Sequence, residues 1–135
     1  METWHKAVSG SLADIALASE WVNEIVAGLK LPAEKSYALR VCAEEILTNI
    51  FRHAGANSRQ IDLTLSRFDD RVELAVEDDG IPFDVSAATP RRVDRPIENA
   101  QPGGLGIQLI HEFADRLRYS RAGLKNRVIA EFTLS

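Results

Sequence analysis

Residues 45–54 read Glu45-Ile46-Leu47-Thr48-Asn49-Ile50-Phe51-Arg52-His53-Ala54, and two periodicities are superimposed in that run. Ile46 and Ile50 continue an apolar stripe begun by Leu39 and Ala43, the spacing of a helix face turned towards a core. Glu45, Asn49 and His53 recur every fourth residue on a neighbouring face with Arg52 beside them, so a polar row climbs successive turns of the same helix. Pro32 suits the first turn of this helix and Gly55 its end. Such a helix belongs to a domain in which one face packs and the next presents carboxylate, amide, imidazole and guanidinium together.

Working outward, Leu12, Ile15, Ala16, Val22, Ile25, Val26 and Leu29 predict an earlier core-facing helix, punctuated by Gly28 and Pro32. The stretch Trp4 to Val8 before it alternates briefly, as an edge strand does. Downstream, Ile61, Leu63 and Leu65 alternate with Asp62, Thr64 and Ser66. After an Asp69-Asp70 turn, Val72, Leu74 and Val76 alternate with Arg71, Glu73 and Ala75, which predicts an antiparallel hairpin. Its second strand runs into Asp78-Asp79-Gly80-Ile81-Pro82-Phe83-Asp84, where glycine and proline turn the chain out of the sheet.

Periodicity then disappears over about 85–102, a stretch longer than an ordinary connection and suited to a lid or partner-binding loop. It ends at Gly103-Gly104-Leu105-Gly106, which opens a helix carrying Ile107, Ile110, Phe113 and Ala114. A last hairpin follows, with Leu117 to Arg121, a turn at Ala122-Gly123-Leu124, and Val128, Ala130, Phe132 and Leu134 alternating. Helices and antiparallel strands in this order predict an α+β two-layer sandwich around one core.

The chain's 135 residues suit a single domain, and a hydrophobic fraction of 45% with 27% charged residues suits a packed interior under a solvated surface. A net charge of −4 argues against binding the nucleic-acid backbone, which needs a basic footprint. Cys42 is the only cysteine, which excludes an internal disulfide and suits a small buried residue. No apolar run is long enough for a membrane span or a signal core, so the cytoplasm is the expected compartment.

Several residues carry two readings each. Gly103, Gly104 and Gly106 before a helix can let backbone amides approach a phosphate, or can simply form a turn; the Lys-Ser/Thr ending of a P-loop is absent. Asn49 offers a neutral oxygen to a hard cation, or is a surface amide. Glu45 can take a hydroxyl proton, or pair with a neighbouring charge. His53 and Arg52 can contact a ligand or complement the helix dipole. Asp78 and Asp79 can accept from an exocyclic amine in a pocket, or form a solvated turn.

Taken in this order, the three polar segments resemble the motif boxes of the GHKL ATPase superfamily, most closely the small anti-sigma-factor serine/threonine kinases of bacterial partner-switching systems. The resemblance covers nearly the whole chain. Residues 45–54 resemble the N box, residues 78–84 the box on the adenine side, and Gly103-Gly104-Leu105-Gly106-Ile107 the second glycine box. It implies the Bergerat-type sandwich, a mixed and mainly antiparallel sheet covered by helices on one face, as a single domain over 1–135 with an ATP lid over about 85–102.

It further implies ATP and Mg2+ as cofactors, Glu45 as general base, Asn49 as magnesium ligand, Asp78 on the adenine amino group and Gly80 shaping that pocket. Gly104 and Gly106 stand near the phosphates. Arg52, His53, Pro82, Phe83, Gly103, Leu105 and Ile107 join the ATP site as members of the same boxes. Implied partners are a STAS-domain anti-anti-sigma factor, a sigma factor and a second copy of the chain, with neither nucleic acid nor membrane. A nucleotide-gated binding module without catalysis, or a histidine-kinase catalytic fragment, are the alternatives. One departure stands out: many relatives have Gly-Thr entering the last long strand, with threonine near adenine, where this chain has Lys125-Asn126-Arg127. Asn126 either supplies a substitute hydrogen bond or closes the turn.

Overall fold

The computed structural model describes residues 1–54, 60–82 and 104–134, with side chains described for all of these except 53, 54 and 104–108. Phe83, Gly103 and the lid expected over about 85–102 lie outside the described residues. In chain order the elements are β1 (Glu2–Val8), α1 (Leu12–Leu29), α2 (Ala33–Ala54), β2 (Ile61–Arg67), β3 (Arg71–Asp78), α3 (Gly104–Phe113), β4 (Arg116–Ala122) and β5 (Lys125–Thr133).

The strands form one five-stranded sheet in the order β1-β2-β3-β5-β4. Each described ladder is antiparallel, so the sheet expected to be mixed has no parallel pair among the described residues. The reason lies in the last hairpin, which folds β5 back inside β4 and lays it against β3. That hairpin turns at Gly123, whose φ is +61°, while Leu124 keeps a negative φ. A glycine in that region followed by an ordinary residue is the type II′ turn that matches strand twist.

Period-two alternation decides which side of the sheet is covered. Ile61, Leu63 and Leu65 of β2, Val72, Leu74 and Val76 of β3, and Val128, Ala130 and Phe132 of β5 are all buried, and α1 and α2 supply Val22, Val26, Leu39, Ile46 and Leu47 to the same cluster. On the opposite side Arg118 reaches Glu73 at 3.2 Å and Glu131 at 3.1 Å, and Arg71 lies 3.5 Å from Glu73, so that face is closed by charge pairing rather than by a second helical layer. Cys42 is buried and its thiol is pushed up to about 12 by burial and by the Glu45 charge, which leaves it inert as a nucleophile.

Helix α1 starts where expected: Ser11 caps it by accepting from the Asp14 N–H, and the Asp14 carboxylate accepts from Ser9 N–H at 2.9 Å. Two details differ from the sequence reading. Leu12, 66% exposed, and Ala16, also exposed, fall outside the core stripe, which is carried by Ile15, Ala18, Val22 and Val26. Gly28 does not end the helix but lies within its last turn; the left-handed cap is Lys30, at φ 53° and ψ 45°. A Cβ added at Gly28 meets nothing within 4 Å. Gly28→Ala is therefore expected to stabilise the protein by about 0.5–1 kcal/mol, read as a higher midpoint in urea with an unchanged slope.

Helix α2 begins one residue after Pro32, whose carbonyl accepts from the Lys35 and Ser36 N–H groups at 3.0 Å. Its first turn is tied to the far end of the sheet through Asp115, which accepts from Lys35 Nζ at 2.9 Å and from the Thr133 N–H at 2.8 Å. Burial pushes the Asp115 carboxyl up, but the hydrogen bonds from Lys35 and Thr133 outweigh it and hold it below its ordinary 3.8. A carboxyl held low in the folded state stabilises above its unfolded pKa, and that stabilisation is lost as pH falls through the folded value. The melting-temperature gap between wild type and Asp115→Asn should accordingly be open at neutral pH and close below about pH 4.

Candidate functional site

On α2 the four-residue spacing does what it promises. Asn49 is 1% exposed, and Glu45 is half-buried one turn earlier. Arg52 is exposed; the side chain of His53 lies outside the described residues. Neither Oδ1 nor Nδ2 of Asn49 has a hydrogen-bond partner among the described residues. Leaving a buried amide unsatisfied costs about 1–3 kcal/mol, so a buried side chain with both ends unpartnered is suited to receiving something from outside the chain. Glu45 is held above the ordinary glutamate value, first by burial and then by the Glu44 charge, with Arg52 opposing.

β3 delivers Asp78 to the helix-covered side at its last residue, 6% exposed. Its Oδ2 accepts from the Gly80 N–H at 2.9 Å and from Asn126 Nδ2 at 3.3 Å. Oδ1 has no partner among the described residues. Burial raises the Asp78 pKa, the Gly80 and Asn126 hydrogen bonds lower it, the Asp79 charge raises it and the Arg121 charge lowers it, leaving it above 3.8. Asp79 is differently placed, since its Oδ1 accepts from the Gln60 N–H at 3.2 Å. Gly80 is buried, while Ile81 and Pro82 beyond it are exposed.

Asn126 is the residue whose role the sequence left open. It pairs in register with Asp78 on one side and Arg121 on the other, so Asp78, Asn126 and Arg121 form one row across β3, β5 and β4. Its Nδ2 donates to the Ile81 carbonyl at 2.8 Å as well as to Asp78, and its Oδ1 accepts from Tyr119 Oη at 2.6 Å and Arg121 Nη1 at 3.0 Å. Arg121 Nη1 also donates to the Gly80 carbonyl at 3.1 Å. Asn126 thus closes the turn after β3 and also hydrogen-bonds the Asp78 carboxylate. Tyr119 and Arg121 were not singled out from the sequence. Parity could have found them, because they follow Leu117 at two-residue spacing and therefore face the same side of the sheet.

The glycine box forms the first turn of α3, with Gly104 and Gly106 inside the helix rather than before it; the side chains of Leu105 and Ile107 lie outside the described residues. Tyr37 meets Phe113 edge to face at 5.7 Å, and Cys42 Sγ lies 4.0 Å from the Ile110 carbonyl. These contacts run α3 antiparallel to α2. At 1.5 Å per residue, the rise of about 9 Å from Ile110 back to Gly104 carries that first turn towards the part of α2 that holds Asn49. No acidic residue stands in this turn, so the positive end of the helix dipole is not offset there.

The arrangement combines a buried carboxylate and a buried amide, one oxygen of the first and both ends of the second without a partner among the described residues, with a carboxylate one turn from the amide and a helix amino terminus suited to anions. Among the described residues no group of three or more His, Cys, Asp or Glu is built to hold a metal. A single amide oxygen suits a hard cation that takes its other ligands from phosphate and water.

Comparisons with known proteins place the chain in a family. The family profile described as histidine kinase-like ATPase domain matches residues 8–132. The chain is 32% identical over 122 residues to the serine/threonine-protein kinase BtrW of Bordetella bronchiseptica, an alignment taking in 89% of this chain and 84% of that protein. It is 29% identical over 85 residues to the serine-protein kinase RsbW of Bacillus cereus, covering 59% of this chain and 53% of the relative. The crystal structure of the RsbU and RsbW domains of a Mycobacterium tuberculosis protein superposes with a TM-score of 0.69 at 12% identity, over 99% of this chain and 33% of that one. A mycobacterial sensor histidine kinase, MprB, superposes with a TM-score of 0.54 at 16% identity, over 95% and 97%. The structures speak to the fold, and the profile with the BtrW alignment speaks to ancestry: this chain belongs to the histidine kinase-like ATPase family, among relatives named as serine/threonine-protein kinases.

Proposed function

We propose that this chain is an ATP-dependent protein serine/threonine kinase that phosphorylates a STAS-type anti-anti-sigma partner and itself acts as an anti-sigma factor in the cytoplasm. It would work as one domain over residues 1–135, with residues of about 85–102 as the ATP lid. The observation that carries the reading is Asn49, buried at 1% exposure with both amide atoms unpartnered, one turn from the half-buried carboxylate of Glu45. Nothing in folding alone calls for that amide there, whereas a nucleotide site does.

In this reading Asp78 Oδ1 accepts from the exocyclic amine of adenine, with Gly80 holding the turn beneath the base. Gly104 and Gly106 present backbone N–H groups to the phosphates at the start of α3. Asn49 Oδ1 is the atom that would hold magnesium, which when bound offsets charge on the phosphate oxygens. Glu45 takes the proton of a serine or threonine hydroxyl as that oxygen bonds to the γ-phosphorus. The bond from the γ-phosphorus to the β–γ bridging oxygen breaks, ADP leaves with that electron pair, and the proton passes from Glu45 to solvent.

The test is transfer of labelled γ-phosphate to candidate STAS proteins, followed by mapping of the modified residue. A phosphate ester on serine or threonine that survives acid supports the kinase. Acid-labile label on histidine supports instead a histidine-kinase catalytic fragment. ATP binding with no transfer to any candidate leaves a nucleotide-gated binding module.

A further inference from the structure

The polar row across β3, β5 and β4 contains more than an ATP site needs to accept an adenine. Two donors converge on Asn126 Oδ1, Tyr119 Oη at 2.6 Å and Arg121 Nη1 at 3.0 Å, and they fix which end of the buried amide is oxygen. The amide nitrogen is thereby aimed at Asp78 Oδ2 and the Ile81 carbonyl, at 3.3 and 2.8 Å. Arg121 pins the Gly80 carbonyl at 3.1 Å. From the β5 and β4 side, Asn126 and Arg121 hold the turn after β3.

We propose that Asn126, Arg121 and Tyr119 are positioning residues that set base selectivity, holding Asp78 as an ionised acceptor with Oδ1 aimed at the base. The proposal deepens the nucleotide reading and rests on it. An ionised carboxylate accepts from the 6-amino group of adenine but faces the 6-carbonyl of guanine acceptor to acceptor; a protonated carboxyl could donate to that carbonyl instead. Burial and the Asp79 charge both push Asp78 towards its protonated form, and the Gly80 N–H, the Asn126 amide and the Arg121 cation push it back. Removing Asn126 or Arg121 shifts that balance towards the form that tolerates guanine and also frees the turn.

The experiment is calorimetric titration of wild type, Asn126→Ala, Asn126→Thr and Arg121→Gln with ATP and with GTP near neutral pH, each variant checked by thermal melting. Wild type should prefer ATP. In Asn126→Ala the ratio of ATP to GTP affinity should fall about tenfold, the effect of one lost hydrogen bond to a charged group, and Arg121→Gln should move it in the same direction. Asn126→Thr keeps a donor beside Asp78 and should recover part of the ratio. A merely structural role would weaken both nucleotides equally. An unchanged ratio in both Asn126→Ala and Arg121→Gln overturns the clamp, and if Asn126→Ala does not fold, Arg121→Gln, at a half-buried position on the edge strand β4, decides alone. Wild type that binds neither nucleotide overturns the nucleotide reading and the clamp together.

Discussion

Glu45→Gln is expected to lower phosphate transfer by about 10²- to 10⁴-fold while ATP affinity stays within roughly twofold of wild type. Glutamine keeps the shape and the half-buried position but cannot take the hydroxyl proton, so the loss falls on the chemical step and not on binding. The acid limb of the rate profile supplies an independent signature. Burial first, and the neighbouring Glu44 charge second, hold the Glu45 pKa above 4.5, with Arg52 opposing. A base must be deprotonated to act, so the rate should rise with pH through a value above that of an ordinary glutamate. Glu44→Gln removes the like charge and should move the limb to lower pH. Equal loss of ATP binding and transfer in Glu45→Gln would place Glu45 in the pocket wall and not in the chemistry.

Asn49→Leu is expected to do two opposite things. With both amide atoms unpartnered and 1% exposed, Asn49 makes the free protein less stable than an apolar residue of similar size would. The variant should therefore gain about 1–3 kcal/mol in urea unfolding without ligand. The same change removes the oxygen proposed for magnesium, so the increase in stability that ATP with magnesium gives wild type should vanish in the variant. A residue that lowers stability where it stands is what a functional site leaves in a core. Loss of stability in the ligand-free variant would mean instead that the amide is satisfied by the fold.

Much of the fold was legible because the central strands alternate, burying one face almost throughout with only Ala75 of β3 buried on the other. The alternations from Ile61 and from Val72, and the tail from Val128, mark the central strands, and a sheet with one covered face needs nothing more to orient them. The four-residue row on α2 was legible because the apolar stripe of Leu39, Ala43, Ile46 and Ile50 marks a helix, on which Glu45 and Asn49 fall one turn apart. Helix ends were less so. Gly28 looked like punctuation, yet Lys30 takes the left-handed cap, because chain direction into Pro32 is set by tertiary packing and not by which residue adopts that conformation most readily. Leu12 and Ala16 fit the apolar spacing but line an open groove between α1 and α2, with Glu44, Leu47 and Thr48 opposite, instead of facing the core.

At the site, Asp78 could be placed by its position before Gly80, but its burial could not. A turn of two aspartates before glycine reads as solvated unless one knows that β5 returns beside β3 and sets Asn126 opposite Asp78. That pairing is a consequence of strand order, which alternation does not reveal. The network through Tyr119 and Arg121 follows from the same long-range step, which explains why the departure at Asn126 stayed ambiguous until the sheet was assembled.

The proposed function requires ATP to bind through Asp78 and, with magnesium, through Asn49. Calorimetric titration of the purified protein with ATP, with and without magnesium, beside Asp78→Asn and Asn49→Ala, tests it most directly. Magnesium-dependent binding by wild type that weakens in both variants is expected, with the magnesium dependence lost in Asn49→Ala. Absence of ATP binding by folded wild-type protein would contradict it.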